Sequence, residues 1–280
     1  MIMTQPRTKG LTPRQRNNGL LFLRPDTIVL EDYDLPVRQS LLGEPGFDGQ
    51  PVQWWADVSR GGAHFSAEED ALEYRTTPQG IEFVEANNDA MKCLPGLTNQ
   101  NKSYFERFHT GSFTLAIRWR TDGAPPSGDQ EVILDTSGWD PSTSSPSGAG
   151  ILIAIADEGD GDALYVRSTL WDSSQNTIWN LFDPDETQTA FNVSGINELW
   201  ISQDAEGGYT TVQIVLNGVE IFASEGFSLD SSGTPPAELL QLGHGGADSI
   251  DMTLSGVVLD TIPNRGPDAL NWINLNSYTP

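Results

Sequence analysis

The chain has 280 residues, 37% of them hydrophobic, and a formal net charge of −24. Its length and hydrophobic content suffice for one large packed core, while its negative charge argues against nucleic acid or an anionic membrane as a partner. Because it contains no apolar run of about 18 residues and no signal-peptide pattern at its start, we expect neither a membrane span nor Sec-dependent export.

The first predicted element is a basic N-terminal arm over residues 1–18. Residues 1–24 contain five basic residues and no acid, which leaves 10 basic and 39 acidic residues for the rest of the chain. The arm is either a disordered tail or a docking arm that lies on an acidic neighbour, such as a second copy of the chain. The acidity of the rest indicates either simple solubility or adaptation to a saline habitat, where salt screens self-repulsion. The cations assigned to docking are Arg7, Lys9, Arg14 and Arg16.

Fourteen segments with strand character follow the arm, separated by turns rich in Gly, Pro, Ser and Asp. Residues 267–276 form the single predicted helix, with Pro267 and Asp268 near its start. No break in composition divides residues 19–280, which we interpret as one domain. The predicted strands cover 19–23, 27–31, 51–58, 80–84, 112–120, 130–135, 150–156, 163–170, 177–182, 197–203, 209–217, 219–224, 238–242 and 251–259.

Residues 212–224 give the clearest local prediction. Apolar side chains occupy every second position on both sides of Asn217-Gly218, a pair that tolerates the positive φ angles of a type I′ turn. The pattern predicts a hairpin whose apolar face needs a second sheet to cover it. That face comprises Val212, Ile214, Leu216, Val219, Ile221 and Ala223.

Two other runs are more apolar than strands with one solvent-exposed face. These are "ILIAIA" at 151–156 and "FTLAIRW" at 113–119, and they are typical of central strands covered on both faces. The single cysteine, Cys93, excludes an internal disulfide and is interpreted as a small buried apolar group. The sequence therefore predicts an all-β, two-sheet antiparallel jelly-roll sandwich, with an N-terminal extended arm and a short C-terminal helix.

The pattern resembles the concanavalin A-like jelly rolls, in particular laminin-G-like and pentraxin-like domains. The C-terminal segments that carry the resemblance are "YTTVQIVLNGVEIF", "LLQLGHGG", "IDMTLSGVVL" and "DALNWINL". Upstream, "GQPVQWWADVSRGG", "GIEFVEANNDAM" and "GSFTLAIRWRT" are similar to the long form found in phage-particle and bacterial surface proteins. The resemblance implies this fold over about residues 20–276. It implies no single activity, because lectins, glycanases, adhesion modules and virion parts share the fold.

Catalysis is the least favoured function class. Laminarinase-type members of this superfamily use a Glu-x-Asp-x-x-Glu motif, and Glu68, Asp70 and Glu73 have that spacing. The family motif lies on a strand with an apolar residue between the first two acids, whereas Glu69 fills that place and "SAEEDALEYRTTP" has no strand pattern. We therefore interpret the segment as a solvated acidic loop. The sequence predicts neither a catalytic triad nor a metal centre from its histidines, because they lie far apart along the chain. They are His64, His109 and His244.

Calcium is the one cofactor that the sequence suggests. The predicted loop at 157–162 places hard oxygen ligands close together, and Ca²⁺ binds about six to eight such oxygens. The spacing is not that of an EF-hand, and ordinary turns in acidic proteins have the same composition. By the resemblance, Asn88 with Asp89 is a second candidate. The carboxylates of the first candidate are those of Asp157, Glu158, Asp160 and Asp162.

Glycan binding needs exposed aromatic rings that stack on sugar faces, with Asp or Asn beside them to bind hydroxyl groups. Trp139 with Asp140, and Trp171 with Asp172, fall in turn-rich segments and are the predicted glycan-binding residues. The alternative is that both indoles pack beneath a loop or against another subunit. Trp119, Trp179 and Trp200 are predicted to be core residues, and Trp54 and Trp55 to point to opposite sides of one strand.

These observations favour a non-catalytic structural protein of a tailed virus: a capsid decoration, head-fibre or tail-associated protein that docks to the particle and presents a lectin-like surface. Its predicted partners are the major capsid or other virion proteins and further copies of itself, in a homo-oligomer such as a trimer. Its predicted location is the virion, after assembly in the host cytoplasm. The alternative function is a carbohydrate-binding adhesin that recognises host surface glycans, and a glycoside hydrolase ranks third.

Overall fold

The structure, a computed structural model, covers most of the predicted domain. The predicted docking arm lies outside the described residues, as do Asp157, Asp160 and Asp162, so the docking and calcium assignments stay predictions. The residues that the structure describes are 19–30, 48–57, 64–67, 72–93, 107–121, 130–156, 165–181, 191–206, 209–229, 240–244 and 250–274.

Antiparallel strands dominate the described residues. Two short α-helices accompany them, α1 at Arg107–Thr110 and α2 at Gly266–Asn274, with 3₁₀ turns at Pro25–Thr27 and Glu85–Asn87. The strands are β1 Gly19–Leu23, β2 Ile28–Leu30, β3 Gln50–Trp55, β4 Phe65–Ala67, β5 Glu73–Thr76, β6 Gln79–Phe83, β7 Ala90–Cys93, β8 Phe113–Thr121, β9 Gln130–Asp135, β10 Gly150–Ala156, β11 Tyr165–Trp171, β12 Thr177–Leu181, β13 Ile196–Asp204, β14 Thr211–Leu216, β15 Val219–Glu225, β16 Gln241–Gly243 and β17 Met252–Asp260.

The prediction of an all-β chain with a short C-terminal helix is confirmed. Each of the fourteen predicted segments overlaps a strand, and the helix predicted at 267–276 is α2. Strands β4, β5 and β7 were not predicted. The interpretation of "SAEEDALEYRTTP" as a segment without a strand is wrong at β5, because Glu73–Thr76 pairs with β6. Only Tyr74 is fully buried among these four residues, so the local sequence carries almost no alternating pattern.

The strands pair in two groups. In the first, the order is β15, β14, β13, β8 and β17, after which β17 pairs with β1 along one half and with β6, followed by β5, along the other. In the second, the order is β12, β11, β10, β9, β16, β7, β4, β3 and β2. Because β3 also pairs with β5, the 17 strands form one continuous network.

One hydrophobic core joins the two groups. It contains Ile117, Leu199 and Ile214 from the first group together with Ile153 and Leu242 from the second, all at most 1% exposed. Strands β10 and β17 are buried along their whole length. The expectation that "ILIAIA" is covered on both faces is therefore confirmed.

Helix α2 covers the other face of the first group, on strands β1, β8 and β17. Trp272 of the helix packs against Phe22, with ring centroids 4.8 Å apart. The guanidinium carbon of Arg24 lies 4.6 Å from the centroid of the Trp272 ring, and Arg24 is only 2% exposed. The last cation of the basic N-terminal run is thus part of the folded domain. The helix-side cluster comprises Phe22, Ala116, Val258, Ala269, Trp272 and Ile273.

The β14–β15 hairpin has the predicted turn. Asn217 and Gly218 have φ angles of 50° and 82°, as a type I′ turn requires. The prediction that Val219 and Ala223 share the buried face is wrong, since both are exposed. The ladder shifts register between Ile214 and Val215, so the alternation of β15 does not continue to the turn.

We expect Gly80→Ala to lower the free energy of unfolding by about 1–3 kcal/mol. A methyl group there would lie 2.4 Å from the carbonyl oxygen of Leu254, which belongs to the neighbouring strand β17 and cannot swing away as a side chain would. Urea unfolding measures the change. Gly218→Asn is the control, because a Cβ at Gly218 meets nothing within 4 Å and Asn tolerates its positive φ. Equal losses in both variants would contradict the steric explanation.

Candidate functional site

The candidate site lies on one face of the β9–β12 strands. Along β11, Val166 and Leu170 point into the main core, so Arg167, Thr169 and Trp171 lie on the opposite face, which we call the outer face. The same alternation holds on β10, where three isoleucines face the main core while Leu152 and Ala154 face outward. Across the ladder, Trp171 is opposite Gly150, Thr169 opposite Leu152 and Arg167 opposite Ala154.

Two tryptophans cover the apolar part of the outer face. The rings of Trp139 and Trp171 are stacked, with centroids 5.9 Å apart and an interplanar angle of 27°. Both indoles are 5% exposed, and the aliphatic side chains beneath them are completely buried. We call this group the tryptophan cluster; it comprises Val132, Trp139, Leu152, Ala154 and Trp171.

The structure brings the two predicted sugar-binding tryptophans together but buries them. The expectation that they expose stacking faces is therefore wrong, and the alternative of packing beneath loops describes them. The physical reason is that β9 and β10 carry apolar residues on both faces, so the outer face also needs a cover. Whether the two segments bind a glycan stays a prediction. Trp119 and Trp179 are buried as predicted. The prediction that Trp200 is a core residue is wrong, because Trp200 is only partly buried and packs against the helix-side cluster instead of the main core. Of the adjacent pair on β3, Trp55 is buried and Trp54 is partly exposed.

Asp140 shapes the first loop above the cluster. Its Oδ1 accepts hydrogen bonds from the backbone N–H of Ser142 at 2.9 Å and from the Ser142 hydroxyl at 2.7 Å. These bonds lower the pKa of the exposed Asp140 carboxyl below its ordinary value. A backbone bridge between Asp140 and Ser145 closes the same loop. The predicted glycan-binding carboxylate therefore has a structural task in its own loop.

Asp172 has the equivalent task in the second loop. Its Oδ1 accepts from the backbone N–H groups of Ser174 and Asn176, both at 2.8 Å, and its Oδ2 accepts from the Asn176 side chain at 3.1 Å. Gln175 at the tip of this loop donates from Nε2 to the carbonyl oxygen of Ser147 at 3.2 Å. That bond ties the second loop to the first. We call residues 140–148 and 172–176 together the paired loops.

A buried carboxylate holds the first loop from below. Asp135, at the end of β9, accepts from the backbone N–H and hydroxyl of Ser137, both at 2.7 Å, and from the backbone N–H of Trp139 at 2.9 Å. Burial raises the pKa of the Asp135 carboxyl, and the hydrogen bonds from Ser137 and Trp139 oppose this shift. Nε2 of His244 lies 3.2 Å from the carbonyl oxygen of Trp139. The segment that carries Trp139 is thus fixed from two neighbouring strands.

Sequence reasoning missed Asp135 and His244. Asp135 ends an apolar strand and is followed by Thr-Ser-Gly, a pattern typical of an Asp that receives hydrogen bonds from the next turn. That signal is present in the sequence. His244 follows β16, which pairs with β9, and this neighbourhood depends on strand order rather than on local sequence.

A polar border adjoins the tryptophan cluster on the outer face. The guanidinium carbon of Arg167 lies 5.2 Å from the centroid of the Trp139 ring, and its Nη1 donates to Oε1 of Gln130 at 2.8 Å. Beside it, the hydroxyl of Thr169 donates to Oδ1 of the exposed Asn180. Arg167 itself is half-buried. Arg167 and Thr169 therefore continue the outer face beyond the tryptophan cluster with polar side chains.

The catalytic candidate is only partly within the described residues. Glu68 and Asp70 lie outside them, and Glu73 lies on β5 directly opposite Glu82. Nη2 of Arg75 is 3.4 Å from Oε2 of Glu73 and forms an ion pair with Glu82 as well. The arrangement is a charge network on a strand pair.

In the second calcium candidate, Asn88 with Asp89, the Asp89 carboxylate accepts a hydrogen bond from the backbone. Oδ2 of Asp89 accepts from the N–H of Val84 at 2.8 Å, and Asp89 is 7% exposed, while Asn88 has a φ of 56°. Over the part of the chain that the structure describes, no three His, Cys, Asp or Glu side chains are grouped so that they could hold a metal ion. None of the helices in the described ranges is long and apolar enough to cross a membrane.

The fold is similar to that of botulinum neurotoxin binding domains. The binding domain of botulinum neurotoxin DC in complex with rat synaptotagmin II matches with a TM-score of 0.57 and 12% identity, over 93% of this chain and 52% of that chain. The same domain in complex with SialylT gives the same values. The serotype C1 binding domain matches with a TM-score of 0.56 and 13% identity, over 94% and 53% of the two chains.

This likeness is one of fold alone. The chain spans about half the length of these neighbours, and 12–13% identity carries no residue-by-residue correspondence. Searches against protein-family models and curated proteins find no match for the sequence. The chain therefore shares an all-β fold with these binding domains, and the likeness identifies no site residue.

Proposed function

We propose that this chain is a non-catalytic, carbohydrate-binding adhesin module that binds a surface glycan through the paired loops. The observation that carries the proposal is the bond between Gln175 and Ser147, which joins two polar loops into one surface above a rigid tryptophan cluster. A surface fixed before binding loses little conformational entropy when a ligand arrives. The tryptophans support this surface from below instead of stacking on the sugar.

The chemistry of the paired loops suits a sugar. Hydroxyl groups both donate and accept hydrogen bonds, and carboxamides offer one acceptor and two donors, so together they match the mixed donors and acceptors of a carbohydrate. The carboxylates of Asp140 and Asp172 lie among these side chains, and hydrogen bonds within the two loops hold both of them. The exposed polar residues are Ser142, Thr143, Ser144, Ser147, Ser174, Gln175 and Asn176.

The proposal includes a concanavalin A-like jelly roll, in which the two groups of strands are the two facing sheets. The shared hydrophobic core between the groups supports this assignment, as does the fold likeness to neurotoxin binding domains. The non-catalytic part is supported by Glu73, whose carboxylate pairs with Arg75. The virion location stays a prediction. The docking arm stays one as well, because residues 1–18 lie outside the described residues.

The test is glycan-array binding of the full chain, followed by titration of any bound sugar. Gln175→Asn should weaken the affinity by about fivefold to tenfold while the melting temperature changes little, since one exposed hydrogen bond contributes about 1 kcal/mol. Asn tolerates the positive φ of 65° at this position but is too short to reach Ser147.

Gln213→Asn is the matched control. Gln213 also donates from an exposed side chain, to Glu220 on the β14–β15 hairpin, so its shortening should leave glycan affinity unchanged. If the full chain binds no glycan, the proposed function is wrong. If a glycan binds equally well to Gln175→Asn and to the unsubstituted chain, the paired loops are not the site.

A further inference from the structure

We propose that the basic N-terminal arm, residues 1–18, docks on an acidic sheet face of the same chain. This face belongs to the first group of strands and the paired loops belong to the second, so the inference goes beyond the proposed function. Helix α2 packs on β8, β13 and β17. Beside the helix, side chains at the end of β13 and along β14 and β15 are exposed or partly exposed, and we call this area the open face. Its residues are Asp204, Thr211, Gln213, Glu220, Ala223 and Glu225.

The open face carries spaced carboxylates. On β14, Val212 points into the main core, so its neighbour Thr211 points to the helix side. Across the ladder, Thr211 is opposite Asp204 on one side and Glu225 on the other, so these two acids are about 10 Å apart, two strand spacings. Glu220 adds a third carboxylate on β15. Because no acids in the described ranges are grouped closely enough to hold a metal ion, the face suits a segment with several spaced cations.

An exposed aromatic ring lies beside these carboxylates. Tyr209 is 51% exposed. Its hydroxyl donates a hydrogen bond to the carboxylate of Glu225, which raises the pKa of the Tyr209 hydroxyl. The bond holds the ring in place while about half of the residue stays open to solvent. An arginine guanidinium stacks favourably on such a ring, so Tyr209 favours a basic segment for a reason that is independent of the carboxylates.

The arm has the complementary chemistry. Its charged side chains are Arg7, Lys9, Arg14 and Arg16, and it contains no acid. Successive cations are two to five residues apart, which corresponds to about 7–17 Å in an extended chain. The carboxylates of the open face have a spacing within this range. Several ion pairs can therefore form along one extended segment.

The arm joins the domain at the same end of the sheet as the open face. Gly19 begins β1, and one row of ladder partners runs from it across the whole first group. Asp204 and Glu225 lie two residues beyond this row, on the side where the arm leaves β1. The row consists of Gly19, Asp260, Thr114, Ser202, Gln213 and Ala223.

The arm is long enough to reach the open face of its own chain. Strand β15 is five strand spacings from β1, or about 24 Å. Lys9 precedes Gly19 by ten residues, which span about 34 Å when extended, so the arm has room to pass residues 261–265 before α2. A tethered segment has a high effective concentration at a site that it can span. Another acidic neighbour must therefore compete with the open face for the arm.

The experiment is zero-length carbodiimide cross-linking of the full chain, which joins a lysine amine to a carboxylate in contact with it. The chain has only three lysines, so mass spectrometry identifies the products of Lys9 directly. We expect Lys9 to be joined to a carboxylate of the open face in monomeric protein. The yield should fall in about 1 M salt, where the Debye length is about 3 Å.

Variants of the open face test the assignment of the carboxylates. Asp204→Asn, Glu220→Gln and Glu225→Gln together should lower the yield of Lys9 products at least about fivefold, because several exposed ion pairs, each weak alone, are lost together. Glu73→Gln is the matched control and should leave the yield unchanged. Glu73 is an exposed strand glutamate of the same group, on β5, which follows β6 at the far end of β17.

Three outcomes would overturn the inference. Lys9 products found only in cross-linked dimers would show that the arm docks on a second copy. Products mainly with carboxylates outside the open face, or no Lys9 product at all, would show that the arm does not dock there. Should the triple variant fail to fold, Glu225→Gln alone and the salt dependence of the unsubstituted chain decide the question. Each of these outcomes leaves glycan binding by the paired loops standing.

Discussion

Replacing Asp135 by alanine should lower the free energy of unfolding by about 3 kcal/mol and release the loop that carries Trp139. The substitution leaves three buried donors without their acceptor, namely the N–H and hydroxyl of Ser137 and the N–H of Trp139. Each unsatisfied buried donor costs about 1–3 kcal/mol, and relief of the desolvated carboxylate offsets part of that sum. Urea unfolding measures the loss, and glycan titration should show weakened binding.

Asp140→Ala is the control for this experiment. Asp140 accepts the same pair of bonds from Ser142 that Asp135 accepts from Ser137, but it is exposed, so water can replace its oxygen. The free energy of unfolding should therefore fall much less in Asp140→Ala than in Asp135→Ala. Equal destabilisation by the two substitutions would show that burial of the Asp135 site is not what makes it important.

The same carboxyl gives a pH dependence with a definite sign. Burial raises the pKa of Asp135 above the ordinary 3.8, so the folded state binds this proton more tightly than the unfolded state does. The stability contributed by this group is therefore fully present below the ordinary value, and it is lost as the pH rises through the raised value. Relative to Asp135→Asn, the unsubstituted chain should lose stability over that interval.

Carboxyl NMR titration checks the direction of the shift at the atom itself. Asp135 should titrate above 3.8, while Asp140 and Asp48, whose pKa values are lowered by hydrogen bonds from Ser142 and Thr76, should titrate below it. An Asp135 midpoint at or below 3.8 would mean that its hydrogen bonds outweigh its burial.

Local sequence patterns predicted most of the strands because alternation and turn chemistry are local properties. Asn217-Gly218 determines its own turn, and the run at 151–156 is apolar whatever it pairs with. Strands β4 and β5 have three and four residues, and their pairing partners define them. No local signal separates such segments from loops.

The candidate site was predicted less completely than the fold. The segments around Trp139 and Trp171 were recognised from their turn-rich composition, but their contact depends on the register of β9, β10 and β11, which local sequence does not specify. The burial of both indoles follows from the same register. Arg167 stands out in the sequence only as one cation in the segment "ALYVRSTL", and its position against Trp139 is a tertiary property.

Trp171→Ala should lower the free energy of unfolding by about 3–5 kcal/mol, the range for removing a buried aromatic side chain. The indole is 5% exposed, stacks on Trp139 and covers completely buried aliphatic residues, so its removal leaves a cavity on the outer face. Because both paired loops rest on this cluster, glycan binding should be lost at temperatures where the variant is still folded. Trp171→Phe keeps an aromatic ring, so both its free energy of unfolding and its glycan affinity should fall less than those of Trp171→Ala.

A double-mutant cycle separates the stacking from the burial. If the contact between the two rings contributes by itself, Trp139→Ala combined with Trp171→Ala should cost less than the sum of the single losses, by about 0.5–1.5 kcal/mol. Urea unfolding of the four proteins gives this coupling directly. Strict additivity would mean that each indole only covers the aliphatic residues below it. The two loops would then be joined mainly through Gln175 and Ser147, and Gln175→Asn should uncouple them completely.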